Sequence, residues 1–314
     1  MKPRLKNLFI FCVPRTGSTL MQRLLMTHSK ISSIAEPNIL LPLVFATKLK
    51  GVLANYSHWV TYYGIRDIIN NLPNKQEDYF KFVREFADKI YNGVSDISDG
   101  YFLDKTARYY FIIPEIVKIF PDAKFIFLFR NPVQVYASIL LSWSKNRFYL
   151  SQKDRFYVDL KEGIDLISQG YEMLKDRSLA IQYEKFVIDP ETHLKLIVNY
   201  LELEYEGNML KSFSDQDLKG GNIDPTGIKL YKQVETKTLD KWKTVFNSRY
   251  RKFVLKKYIG NLDERTLSVQ GYDKASILQE IEQLETKGNH RLIPDIIDFN
   301  KTKFRNKFNR FAYE

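Results

Sequence analysis

The chain reads as an α/β protein built on a central parallel β-sheet flanked by helices, and three observations carry that reading. Two short runs, Leu8 to Val13 and Lys124 to Phe129, are rich in β-forming residues without clean polar alternation, the pattern of strands buried on both faces. Each passes directly into a helical pattern. Further strand candidates alternate with long helical stretches, as a parallel sheet covered on both sides requires, and such sheets place ligands at the C-terminal ends of their strands.

In chain order, the first strand is followed by Pro14-Arg15-Thr16-Gly17-Ser18-Thr19-Leu20 and a helical run from Met21 to Thr27. Residues 38–53 and 77–93 read as helices, Gly100 to Asp104 as a strand, and 110–119 as a helix. After the strand at Lys124, a helix over 131–145 starts with Pro132 in its first turn, where its missing N–H costs nothing. A helix over 154–176, a strand from Ser178 to Tyr183 and a helix over 190–201 complete the pattern. The stretch between the first strand and Gly100 is long for a crossover and rich in aromatics: Phe45, Tyr56, Trp59, Tyr62, Tyr63, Tyr79 and Phe82. It is either a helical insertion, about 38–100, closing over a site, or a helical layer with an apolar core face. No repeat or linker divides the chain, so 1–314 reads as a single domain ending in a basic helical tail, about 273–314. In that tail Phe304, Phe308 and Phe311 recur at helical spacing among Lys301, Lys303, Arg305, Lys307 and Arg310. A stripe buried on the domain is the favoured reading over an amphipathic helix on an anionic surface.

Composition narrows the partners. Forty-four per cent of the 314 residues are hydrophobic, enough for a sizeable core, and 48 basic against 37 acidic residues give a net charge of +11. That excess suits an anionic ligand, a nucleic acid or an acidic membrane surface, and charge by itself does not choose. The single cysteine, Cys12, lies in an apolar run and reads as a small buried hydrophobe; one cysteine excludes an internal disulfide. The longest apolar stretch, Ile39 to Ala46, is far short of a membrane span, and Met1-Lys2-Pro3-Arg4 leaves no room for a signal peptide, so a cytoplasmic setting is expected. No His/Cys cluster has metal-ligand spacing.

The segment after the first strand joins a strand, a glycine turn and a helix N-terminus, which together cradle an anion. Gly17 allows close backbone approach, Ser18 and Thr19 add hydroxyls, and Arg15 adds a cation. The sheet is thus P-loop-like, but the nucleoside-triphosphatase pattern is not met. Placing Gly17 on that motif's second glycine puts Cys12 on the first and Ser18 where the lysine belongs. The strand at Lys124 ends in Arg130, where a magnesium-positioning aspartate would be needed. A basic residue there draws phosphate directly and repels a metal, which argues against a P-loop kinase. Arg130-Asn131-Pro132 with Ser138 eight residues beyond Arg130 makes a second anion element.

With these two elements in this order, the sequence resembles the PAPS-dependent sulfotransferases, from about residue 7 to 245. The resemblance makes Arg15 to Leu20 the 5′-phosphosulfate loop and Arg130 with Ser138 the 3′-phosphate site. Asp104-Lys105-Thr106 is similar to a Lys-Thr-Pro element with Ala107 in place of proline, and Tyr183-Glu184 to a Tyr-Glu element. Lys232 to Trp242-Lys243 is similar to a donor-covering segment. An arginine at the head of the loop places the likeness nearer the tyrosylprotein and bacterial branch.

The implied activity is transfer of a sulfuryl group from PAPS, leaving PAP, to a hydroxyl, in preference to an amine or carbamoyl nitrogen, of a small-molecule acceptor, in a setting such as secondary metabolism; the alternatives are a carbohydrate or protein-tyrosine acceptor, or a P-loop nucleotide kinase. The implied cofactor residues are Arg15, Thr16, Gly17, Ser18, Thr19, Leu20, Arg130, Ser138, Tyr183 and Lys232, and the implied catalytic residues Glu36, Arg15 and Lys105. Glu36 is the expected general base, with a helix-start carboxylate as the structural alternative; His28 and His58 are its rivals. No metal, nucleic acid or integral membrane contact is expected.

Overall fold

The computed structural model describes residues 5–148, 158–216, 218–219, 233–288 and 291–309, without the side chains of 302–309. Five parallel strands form one sheet in the order β2-β3-β1-β4-β5: β1 is Lys6–Phe11, β2 Ile31–Ser33, β3 Tyr101–Asp104, β4 Lys124–Phe129 and β5 Ser178–Gln182. In register, Phe9 stands between Asp104 of β3 and Phe125 of β4. The central strands are buried on both faces. Rings of Phe9, Phe11, Phe120, Phe125 and Phe127 pack with centroids 5.1–6.2 Å apart, the range in which aromatic pairs attract.

The helices are α1 (Ser18–Met26), α2 (Leu40–Phe45), α3 (His58–Asn71), α4 (Gln76–Val94), α5 (Ile113–Ile119), α6 (Pro132–Trp143) and α7 (Glu162–Leu174). Then follow α8 (Tyr183–Ile188), α9 (Pro190–Tyr200), α10 (Lys241–Val245), α11 (Arg249–Gly260), α12 (Glu264–Val269), α13 (Lys274–Gln283) and α14 (Leu292–Asn309). Four strands agree with the sequence reading; β1 sits two residues early, because Thr16 Oγ1 donates to the Val13 carbonyl at 2.9 Å and turns the chain into the loop.

Two corrections have local causes, and one reading is only partly covered. Strand β2 was not expected: three residues, two of them serines, carry no periodic signal. It is pinned at the sheet edge by Ser33 Oγ donating to the Leu103 carbonyl at 2.6 Å and by Gln22 Nε2 donating to Ser33 Oγ at 2.7 Å. The helix read over 38–53 shrinks to Leu40–Phe45. Beyond it Lys48 is drawn into an ion pair with Glu115 at 2.6 Å, its carbonyl accepts from His58 Nε2 at 2.8 Å, and Gly51 turns with φ +91°. The helix read over 154–176 is described only as Glu162–Leu174, residues 149–157 lying outside the described set.

Helix α14 starts the basic tail. It is tied by buried Arg251, which donates to Asp295 at 2.7 and 2.8 Å, and by Arg147 on Asp298 at 2.8 Å. The side chains of Phe304 and Phe308, and Phe311 altogether, lie outside the described residues.

Candidate functional site

Every strand of the sheet delivers at least one expected site residue from its C-terminal end. Arg15 to Leu20 follow β1, Glu36 follows β2, Lys105 follows β3, Arg130 follows β4, and Tyr183 follows β5. Strand order makes this convergence necessary. The chain leaves β1 toward β2 and later crosses from β3 to β4 on its other side, so a crevice opens above β1 and β4.

The loop after β1 is held open by its backbone. Gly17 is the N-cap of α1 at φ +90°, and no side chain caps that helix, leaving its first-turn amides to other partners. A side chain at position 17 is also excluded by packing: a Cβ there would stand 2.2 Å from Tyr183 Cε2. Arg15 takes the left-handed conformation, φ 72°, a costly state for a residue with a side chain and one that is tolerated where a site demands it. Its guanidinium donates to Ser138 Oγ at 3.2 Å and to Ser142 Oγ at 2.8 Å, and lies 5.5 Å from the Trp143 ring centre. Ser142 was not expected from the sequence; its place one helical turn beyond Ser138 on α6 was the available signal. Thr16 and Ser18 are buried, while Thr19 is half-buried.

The two anion elements meet directly. Arg130 Nη1 donates to the Arg15 carbonyl at 3.0 Å, and Arg130 Nε donates to Gln134 Oε1 at 3.1 Å. Its guanidinium lies 4.2 Å from the Tyr183 ring centre. Arg130 is 8% exposed, yet among the described residues no carboxylate pairs with it. Burying a cation without a counter-charge is expensive. Arg130 thus grips the main chain of the loop, while the Arg15 guanidinium reaches across to α6. Tyr183 is buried between Gly17 and Arg130, with its hydroxyl 3.2 Å from Thr238 Oγ1.

On the other side of β1, Lys105 Nζ donates to Glu36 Oε1 at 2.8 Å; the Lys105 side chain is 3% exposed and that of Glu36 28%. Lys105 follows directly on a buried carboxylate. Asp104, fully buried, accepts from Tyr91 Oη at 2.6 Å, Tyr109 Oη at 2.9 Å and Thr106 Oγ1 at 2.8 Å. Burial pushes its carboxyl up to about 6 against the pull of those three hydrogen bonds. Burial likewise raises the Cys12 thiol, consistent with a packing role for it.

The histidine rivals are both engaged elsewhere. His28 accepts the Lys30 amide at Nδ1 at 3.0 Å, which leaves Nε2 to donate to the Glu204 carbonyl at 2.8 Å. His58 donates to the Lys48 carbonyl. Lys232 lies outside the described residues. Among the described residues no cluster of three His, Cys, Asp or Glu could hold a metal, and no helix is long and apolar enough to cross a membrane.

A parallel sheet with a glycine turn after its central strand and a second arginine element beside it defines a P-loop-like α/β fold. The match with the Sulfotransferase family model over residues 7–207 makes the class specific: the chain belongs to the sulfotransferase family. A Caenorhabditis briggsae protein named as a protein-tyrosine sulfotransferase is 26% identical over 276 residues, covering 86% of this chain and 90% of that one. Among solved structures, the sulfotransferase domain of the Synechococcus PCC 7002 olefin synthase is similar with a TM-score of 0.50 at 25% identity, over 78% of this chain and 90% of that one. The sulfotransferase domain from the curacin biosynthetic pathway also has a TM-score of 0.50, at 21% identity, over 77% of this chain and 92% of that one.

Proposed function

We propose that the chain transfers the sulfuryl group of PAPS to a hydroxyl of a small-molecule acceptor, with Glu36 as general base. The single observation that carries the donor assignment is buried Arg130, which has no carboxylate partner among the described residues and touches the loop that bears Arg15. Arg130 and Ser138 hold the 3′-phosphate; Arg15, Ser18, Thr19 and the loop amides hold the phosphosulfate and stabilise charge that gathers on the leaving phosphate. Bound PAPS supplies an activated sulfur: a new S–O bond to the acceptor oxygen forms as the S–O bond to the 5′-phosphate breaks, and the electron pair leaves with PAP.

The Lys105–Glu36 ion pair supports the remaining roles. In the resting site the Lys105 ammonium occupies Glu36 Oε1. Transfer of Lys105 to the sulfuryl oxygens frees Glu36 to take the acceptor's proton, which suits a group only partly exposed at the mouth of the site. A biosynthetic setting in secondary metabolism fits the olefin-synthase neighbour. The relative named as a protein-tyrosine sulfotransferase favours a tyrosine hydroxyl as the second reading.

Thermal-shift titration with PAP, beside Mg-ATP, tests the donor. At 100 times its dissociation constant a specific ligand adds about 2.7 kcal/mol of stability. PAP should stabilise the protein without metal, and Arg130→Ala should abolish the shift; stabilisation by Mg-ATP alone would sink the reading. Labelled PAPS offered with hydroxyl-bearing metabolites or a tyrosine peptide then separates the two acceptors.

A further inference from the structure

The corner Arg130-Asn131-Pro132 is held from a direction that the family match does not reach. The Asn131 amide donates to Glu184 Oε1 at 2.9 Å, and the other oxygen of that carboxylate accepts from Tyr272 Oη at 2.8 Å. Tyr272 comes from the turn after α12, some 65 residues beyond the last residue of the family match at 207. That turn is itself fastened to the site. Gln182 Nε2 donates to the Gln270 carbonyl at 3.0 Å and to the Gly271 carbonyl at 2.9 Å. Gly271 is at φ +81°, and a Cβ there would stand 2.6 Å from the same amide nitrogen, so the close approach needs glycine. Gln182 directly precedes Tyr183, whose ring faces Arg130.

Glu184 therefore stands one residue from the ring beneath Arg130, and its partner Asn131 is next to Arg130 in the chain. Among the described residues Glu184 and the buried guanidinium form no ion pair. Both of its oxygens are already committed, one to the Asn131 amide and one to Tyr272. Burial and the Glu184 carboxylate raise the Tyr272 hydroxyl well above its ordinary range, against the opposing charge of Arg130, so it is a proton donor to Glu184.

We infer that Tyr272 is a positioning residue of the donor site: its hydroxyl holds Glu184 off Arg130 and so keeps the guanidinium available to the 3′-phosphate. The inference rests on the PAPS reading and adds a residue from the C-terminal part of the chain to it. Without the hydroxyl, one oxygen of Glu184 is freed to rotate onto Arg130 and compete with the ligand.

The test is isothermal titration of PAP and of AMP, which lacks the 3′-phosphate, into the full chain and its variants. Tyr272→Phe should weaken PAP roughly tenfold, the scale of a hydrogen bond to a charged group, while AMP binds as it does to the parent. In a Glu184→Gln background, which removes the competing charge, Tyr272→Phe should leave PAP affinity unchanged. Gln182→Met, loosening the same turn from its other side, should reproduce the selective loss should Tyr272→Phe not fold. If the parent fails to bind PAP, the donor reading falls. If the parent binds PAP and Tyr272→Phe binds it equally, or if PAP and AMP weaken together, this inference is overturned and Tyr272 is structural packing.

Discussion

The region around the loop after β1 and the helical insertion are built differently. On the donor side, Thr16, Ser18, Lys105 and Arg130 are buried, and the charged groups are held in direct hydrogen bonds. On the insertion side, α3 buries only Ile69 of its fourteen residues. Trp59, Val60 and Ile68 on that helix are exposed, as are Leu53 and Tyr56 just before it. Its aromatic contacts are largely internal: Trp59 and Tyr62 pack on Tyr63, and Arg66 lies 4.4 Å from the Tyr63 ring centre. A preorganised wall and a sparsely packed one suit different tasks. Fixed charges stabilise a transition state because they need no reorganisation as the reaction proceeds. A surface with few packing constraints can change its residues without disturbing the core.

The largest expected effect separates chemistry from binding on the rigid side. Glu36→Gln should lower kcat by roughly 10² to 10⁴ while PAP affinity is retained, measured with saturating acceptor. Retained turnover would assign Glu36 to the structural role of orienting Lys105. A smaller effect comes from the buried carboxyl behind Lys105. Because the folded Asp104 is raised to about 6, its protonated form contributes stability that is fully present below about pH 4 and is lost as pH rises through 6. Chemical denaturation of the parent and of Asp104→Asn should therefore diverge by on the order of 3 kcal/mol between pH 4 and pH 7. A constant difference across that range would mean that the three hydroxyl donors, not burial, set this group. The smallest effect on stability belongs to the loose side. Trp59→Ala should change unfolding free energy by no more than about 0.5 kcal/mol, as exposed substitutions do, with any kinetic change confined to acceptor KM. A loss above that scale would show that α3 is packed more firmly than its exposure implies.

Legibility in the sequence follows the same division. The loop from Arg15 to Leu20 is contiguous, so one glycine between a strand and a helix announces it. Arg130 is legible because it stands where a metal-binding aspartate would otherwise end β4. The Lys105–Glu36 contact joins residues 69 apart through a strand of three residues that carries no pattern of its own. Strand β2 needed the sheet to define it. The insertion was legible as helical and aromatic, but the end of its first helix depends on the Lys48–Glu115 pair, a tertiary tie that local propensity does not contain. Ser142 lay within reach of helical periodicity. Tyr272 did not, since nothing around it resembles the phosphate elements and its contact with Glu184 spans 88 residues.

The strand order also sets a timetable. β1 is the first strand to leave the ribosome but the middle one in the sheet, so the phosphate loop is synthesised before either of its walls. Arg130, which fastens to the loop carbonyl, follows Arg15 by 115 residues, and Tyr272 emerges later still. A nascent chain therefore carries the Arg15–Leu20 loop 115 residues before the arginine that fastens to it.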